Sequence, residues 1–237
     1  MKNILFLSFI FLSLISCAKK NDNSYITLPP TQPVDTTNYK TYLALGDSYT
    51  IGQSVDASQR FPVQTVQLLR QQDINVADPG IIAVTGWTTA NLLNALNATP
   101  PKNNYDIVTL LIGVNNQYQG RPLNEYKTEF TELLQRAVVY AGNKKEHVFV
   151  ISIPDYSVTP FARGADTAKI AREIDSFNDA NKAITLGEGI AYIDVTPISR
   201  EAKYDPSLVA GDGLHPSGIQ YKKWSDLLAP VIAKAVK

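Results

Sequence analysis

The chain has 237 residues, 44% of them apolar, and its 22 basic side chains are matched by 22 acidic ones. That length fits one domain with a tail and allows a sizeable core, while the even charge argues against a nucleic-acid partner. The chain holds a single cysteine, which excludes an internal disulfide framework.

The first residues, MKNILFLSFIFLSLISC, place Lys2 before an uncharged run from Ile4 to Ser16, and then Cys17. This is the shape of a secretory signal, too short to span a bilayer comfortably. Leu14-Ile15-Ser16-Cys17 resembles the lipobox of bacterial lipoproteins. That resemblance implies cleavage after residue 16 and a lipid on Cys17. Residues 18–38 are polar and rich in Pro, Thr and Asn, the composition of a flexible tether. The expected order is a signal peptide over 1–16, a lipidated cysteine and tether over 17–38, and a folded domain over 39–237. Membrane contact is expected through the lipid only, in the bacterial cell envelope.

Within the domain, Tyr42 to Leu45 reads as a short apolar strand. Phe61 to Gln72 reads as a helix, with Pro62 in its first turn and Val63, Val66 and Leu69 on one face. Ile74 to Ala77 and Ile81 to Val84 read as extended, interrupted by Asp78-Pro79-Gly80. Thr88 or Thr89 is expected to cap a helix carrying Leu92, Leu93 and Leu96. Asp106 to Ile112 is continuous and mostly apolar, as in a strand buried on both faces. A helix follows over Leu123 to Tyr140, then a strand over His147 to Ile153, a helix over Asp166 to Leu186, and a strand over Ile190 to Val195. Pro216 to Val236 reads as the last helix, broken or kinked at Pro230. Strands alternating with helices over the whole domain predict a parallel sheet with helices on both faces. Functional groups in such sheets gather at the carboxyl ends of the strands.

Four segments sit at those ends. Gly46-Asp47-Ser48 follows the first strand, where a serine at a helix N-terminus is exposed and its own amide can face a developing negative charge. Gly86, in VTGWTTANLL, offers an unobstructed amide. Gly113-Val114-Asn115-Asn116 ends the TLLI strand and can aim the Asn115 carboxamide over the sheet edge. His215 lies in GDGLHPSG with Asp212 three residues before it, close enough for the carboxylate to reach Nδ1 and leave Nε2 for a serine. The other histidine, His147, lies at the amino end of a strand and reads as a surface residue. Taken singly, each segment is equally well a helix cap or a turn.

Taken together and in this order, GDS, a glycine before a Thr-capped helix, GxN and DxxH resemble the four blocks of the SGNH, or GDSL, hydrolase family, over Tyr39 to Lys237. The resemblance implies a three-layer α/β/α sandwich with a central parallel sheet, similar to flavodoxin. It implies Ser48 as nucleophile, His215 as general base and acid, and Asp212 as the group that orients His215. It also implies an oxyanion hole made by the Ser48 amide, the Gly86 amide and the Asn115 side chain. No metal and no cofactor is implied. The chain departs from the family pattern at Tyr49, where Leu is usual, and at Asn116, where an acid is usual.

The expected activity is a serine esterase acting on short O-acyl esters, with carbohydrate as the expected carrier. Tyr49, Trp87, Tyr118, Arg121 and Tyr156 follow sheet-edge motifs and are candidates to line the substrate cleft. Three other readings stay open from the residues alone: a surface lipoprotein of the same fold that binds glycans without turnover, a flavodoxin-like phosphate binder, and a metal hydrolase using Asp47, Asp212 and His215. The phosphate binder lacks a Gly-rich cradle.

Overall fold

The computed structural model describes residues 39–237. The expected signal peptide, the expected lipidation site Cys17 and the expected tether lie outside the described residues. Among those described, no helix is long and apolar enough to cross a membrane.

Five parallel strands form one sheet in the order β2-β1-β3-β4-β5, with β1 Tyr42–Gly46, β2 Gly80–Ala83, β3 Ile107–Leu111, β4 Val148–Ile151 and β5 Ala191–Ile193. All residues of β1, β3 and β4 are buried, which accounts for their unbroken apolar runs. The helices are α1 Ser48–Ile51, α2 Phe61–Arg70, α3 Thr89–Ala98, α4 Val114–Tyr118, α5 Leu123–Tyr140, α6 Thr167–Gly187, α7 Thr196–Arg200 and α8 Gly218–Val236. α2 packs on α8, while α3, α5 and α6 pack side by side. Right-handed crossovers from this strand order place the first pair on one face of the sheet and the other three opposite. The result is the expected three-layer sandwich.

Local sequence explains most boundaries. Thr88 caps α3 in a reciprocal box with Asn91. On α5 the buried positions Tyr126, Phe130, Leu133, Leu134, Ala137 and Tyr140 recur at helical spacing. Phe61 of α2 lies 6.2 Å, centroid to centroid, from both Tyr221 and Trp224 of α8, and these rings are fully buried.

Some boundaries differ from expectation. Residues 74–77 form no strand; Val76 alone bridges Lys40, because the sheet edge has moved on to Gly80–Ala83. Val84 lies past β2 and is exposed. The last helix begins at Gly218 under a Ser217 cap, since Pro216 is held in a bridge to Val209. Pro230 does not break that helix. Leu228, Ala229, Ile232 and Ala233 are buried on either side of it, and their packing outweighs one lost backbone hydrogen bond. His147 closes a short 3₁₀ turn before β4, half-buried and away from the carboxyl ends of the strands.

Candidate active site

β1 ends against its own continuation. A Cβ on Gly46 would lie 2.1 Å from Thr50 Oγ1 and 2.3 Å from Leu111 O, so only glycine lets the chain turn from strand into α1 at this point. Asp47 caps α1 by accepting from the Tyr49 amide at 3.0 Å. Ser48 is then the first residue of the helix, with an amide that no earlier turn of the helix satisfies. Asp47 is fully buried, its Oδ2 has no hydrogen-bond partner, and burial pushes its carboxyl up to about 7 against the pull of the Tyr49 amide.

His215 is reached from the far end of the chain. Its Nδ1 lies 2.6 Å from Asp212 Oδ2. Asp212 Oδ1 accepts from the Leu214 and His215 amides at 2.9 and 3.0 Å, and Oδ2 also accepts from Ser54 Oγ at 2.7 Å. Partial burial alone would raise the Asp212 carboxyl; the bonds from Ser54, His215 and the two amides outweigh it and hold the group well below the usual carboxylate range. The His215 ring is buried against Tyr49, edge to face with centroids 5.6 Å apart, and Tyr49 leans in turn on Trp224 at 6.4 Å.

The two candidate oxyanion loops are tied together. Asn115 Nδ2 donates to Trp87 O at 2.9 Å, which leaves its second amide proton for the cavity. Asn116, fully buried, accepts from Thr89 N at 3.0 Å and donates to Thr89 Oγ1 at 2.7 Å, and Thr89 Oγ1 donates to Glu129. An asparagine therefore serves where the family has an acid, because the position makes hydrogen bonds within the protein. Gly113, at φ 130, lets β3 turn into α4; a Cβ there would meet Tyr126 at 2.6 Å and Ile153 at 2.8 Å. Gly86, at φ 83, adopts a backbone conformation that favours glycine.

These parts meet at one cavity of about 140 Å³, lined by Ser48, Gly86, Asn115 and His215 together with Tyr49, Tyr118 and Tyr156. Two residues expected in the cleft are elsewhere. Trp87 packs its ring on the core and contributes its carbonyl. Arg121 pairs with Glu125 at 2.6 Å, one helical turn away, and does not line the cavity. Tyr49 is 3% exposed and acts more as a floor for His215 than as a binding surface. Phe161 lines the cavity and was not foreseen. It stacks with Tyr118 and Tyr156 in a three-ring cluster, with centroids 6.0 to 6.2 Å apart. Its signal in the sequence was an aromatic between Pro160 and Gly164 after β4. Among the described residues no group of three or more His, Cys, Asp or Glu side chains is arranged to hold a metal ion. Asp47 faces the helix amides behind Ser48 and Asp212 faces His215, so they do not form a ligand set.

The profile of the GDSL-like lipase/acylhydrolase family matches residues 44–223. No curated protein matches the chain. Among solved structures, the chain is similar to the lipase Lip_vut3 from a goat rumen metagenome, at 19% identity and TM-score 0.65, over 81% of this chain and 97% of that one. It is similar to the psychrotrophic esterase EstA from Pseudoalteromonas sp., at 18% identity and TM-score 0.61, over 82% and 97%. It is also similar to Axe2, an acetylxylan esterase from Geobacillus stearothermophilus, at 19% identity and TM-score 0.58, over 83% and 94%.

Proposed function

The chain belongs to the GDSL-like lipase/acylhydrolase family of carboxylic ester hydrolases, and from that premise we propose a serine esterase that removes short acyl groups, with Ser48, His215 and Asp212 as its triad. The observation that carries the reading is the 2.6 Å contact of His215 Nδ1 with Asp212 Oδ2, on a cavity that Ser48, Gly86 and Asn115 also line.

In this reading Ser48 Oγ attacks the ester carbonyl carbon and His215 Nε2 takes its proton. The carbonyl oxygen becomes an oxyanion that accepts from the Ser48 and Gly86 amides and Asn115 Nδ2, each donor worth about 3 kcal/mol in the transition state. The C–O bond to the alcohol breaks and His215 returns the proton to the leaving oxygen. Water then attacks the acyl-serine, giving its proton to His215, and Ser48 leaves with that proton as the acid is released. Asp212, held as a carboxylate, keeps the Nδ1 proton in place and stabilises the imidazolium between these steps.

The acyl group is read from the cavity. Its volume, about 140 Å³, is below that of pockets for drug-sized ligands and near that of a cavity that takes a benzene-sized group. That size supports a short acyl chain as the substrate's acid part. The alcohol would lie on Tyr118 and Phe161, which are 59% and 48% exposed beside the cavity. Exposed rings of this kind suit a sugar. The turn carrying Phe161 also borders a second, separate hollow of about 300 Å³, lined in part by Arg163 and Lys203. We propose further that Cys17 carries a lipid, that residues 17–38 tether the domain, and that the enzyme works in the bacterial cell envelope on glycan esters. The support is the lipobox-like Leu14-Ile15-Ser16-Cys17.

The test is a series of esters of one alcohol with acetyl, butyryl and long acyl groups, set beside acetylated sugars. The reading predicts the highest kcat/KM for acetyl and turnover of the sugars. Equal kcat/KM for acetyl and long-chain esters would remove the basis for it. A protein that binds the sugars but turns over no ester and takes up no fluorophosphonate at Ser48 would be the glycan-binding lipoprotein instead.

A further inference from the structure

Gly52, at φ 66, ends α1, and two residues later Ser54 also takes a left-handed backbone, at φ 65. That conformation is unfavourable for residues other than Gly, Asn and Asp. The turn itself would be better served by glycine. What serine adds is a hydroxyl, and that hydroxyl lies 2.7 Å from Asp212 Oδ2, 158 positions away in the chain.

We propose that Ser54 is a positioning residue for the hydrolysis: it holds the Asp212 carboxylate in the plane that keeps His215 aimed at the nucleophile. The proposal rests on the triad reading above.

A carboxylate has about four acceptor sites, and every one on Asp212 is filled. Oδ1 takes the Leu214 and His215 amides at 2.9 and 3.0 Å, and Oδ2 takes His215 Nδ1 at 2.6 Å and Ser54 Oγ at 2.7 Å. Three of these donors belong to the loop of Asp212 itself. Ser54 alone comes from the connection that also carries Ser48, so it ties the acid of the triad to the segment of the nucleophile. Gln53, next to it, accepts from Thr85 Oγ1 at 2.8 Å, and Thr85 precedes Gly86. One short turn therefore touches both the Asp212 loop and the loop of a candidate oxyanion donor. A surface serine with no such task would turn its hydroxyl to water.

The backbone strain makes the test selective. Ser54→Gly removes the hydroxyl and relieves the left-handed turn; Ser54→Thr keeps the hydroxyl and worsens the turn. Each is made in the full chain beside Ser48→Ala, and followed by thermal unfolding, by p-nitrophenyl acetate hydrolysis and by the rate of fluorophosphonate labelling. Ser54→Gly is expected to keep or raise Tm, lower kcat and the labelling rate about tenfold, the order of one hydrogen bond to a charged group partly replaced by water, and leave KM within about twofold. Ser54→Thr is expected to lower Tm and keep kcat within about threefold of wild type. A purely structural role predicts the opposite order, with activity following Tm. Wild-type kcat and labelling rate in Ser54→Gly would overturn the proposal while the triad stands. Undiminished hydrolysis in Ser48→Ala would overturn the triad, and this proposal with it.

Discussion

Replacing Asp47 by Asn removes a fully buried carboxyl whose Oδ2 has no hydrogen-bond partner and keeps an Oδ1 that can still accept from the Tyr49 amide. Burial raises the carboxyl from 3.8 to about 7. In the unfolded chain it ionises at its ordinary value, so between these limits the folded protein holds a proton that the unfolded chain has released. The stability linked to that proton is complete below pH 3.8 and is lost as pH rises through about 7. Each pKa unit is worth about 1.4 kcal/mol, and the separation therefore amounts to about 4 kcal/mol. Asp212 titrates in the opposite sense: its stabilisation is present above the ordinary carboxylate value and fades as pH falls toward its depressed one. It is common to both proteins and cancels in their difference. The assay is urea unfolding of wild type and Asp47→Asn from about pH 4 to about pH 8. The unfolding free energy of the variant minus that of wild type should grow by about 4 kcal/mol across that range. A constant difference would refute the reasoning, since it would mean that Asp47 titrates alike in both states.

Other outcomes follow from the same geometry. Asn115→Ala should lower kcat by about 10²- to 10³-fold with little change in KM, the loss of one oxyanion donor, as read from steady-state rates. Gly46→Ala must place a methyl 2.1 Å from Thr50 Oγ1 and 2.3 Å from Leu111 O, so it should destabilise the fold by about 1–3 kcal/mol and lower kcat by displacing Ser48; denaturant unfolding and kinetics together check it. Removing the exposed rings with Tyr118→Ala and Phe161→Ala should raise KM for acetylated sugars by about tenfold, the loss of about 1.4 kcal/mol of apolar contact between sugar and ring, and should leave KM for p-nitrophenyl acetate nearer to wild type.

Much of this was legible in the residues. The buried strands announced themselves because β1, β3 and β4 have no wet face, and the order of the four motifs named both fold and family. Residues 74–77 are extended but add only the Val76 bridge to Lys40, because an apolar run shows burial and not how many ladder bonds a segment makes. Pro230 does not break α8, because propensity speaks for the isolated helix and the core packing of α8 decides the outcome. Trp87 and Arg121 share one lesson. A residue after a sheet-edge motif is near the site, but the motif does not fix the direction of its side chain: the core takes the ring of Trp87, and Glu125, four residues on, takes Arg121. Phe161 and Ser54 went unseen because no motif marks them. Their importance lies in contacts across the fold, and in Ser54 in a backbone angle that a sequence does not display.

The central claim is that Ser48 is the nucleophile, and fluorophosphonate labelling of the full chain followed by peptide mass spectrometry tests it most directly. The account predicts one adduct, on the peptide carrying Ser48, absent in Ser48→Ala and slowed by several orders of magnitude in His215→Ala. Stoichiometric labelling at another serine, or labelling of Ser48 at an undiminished rate without His215, would contradict it.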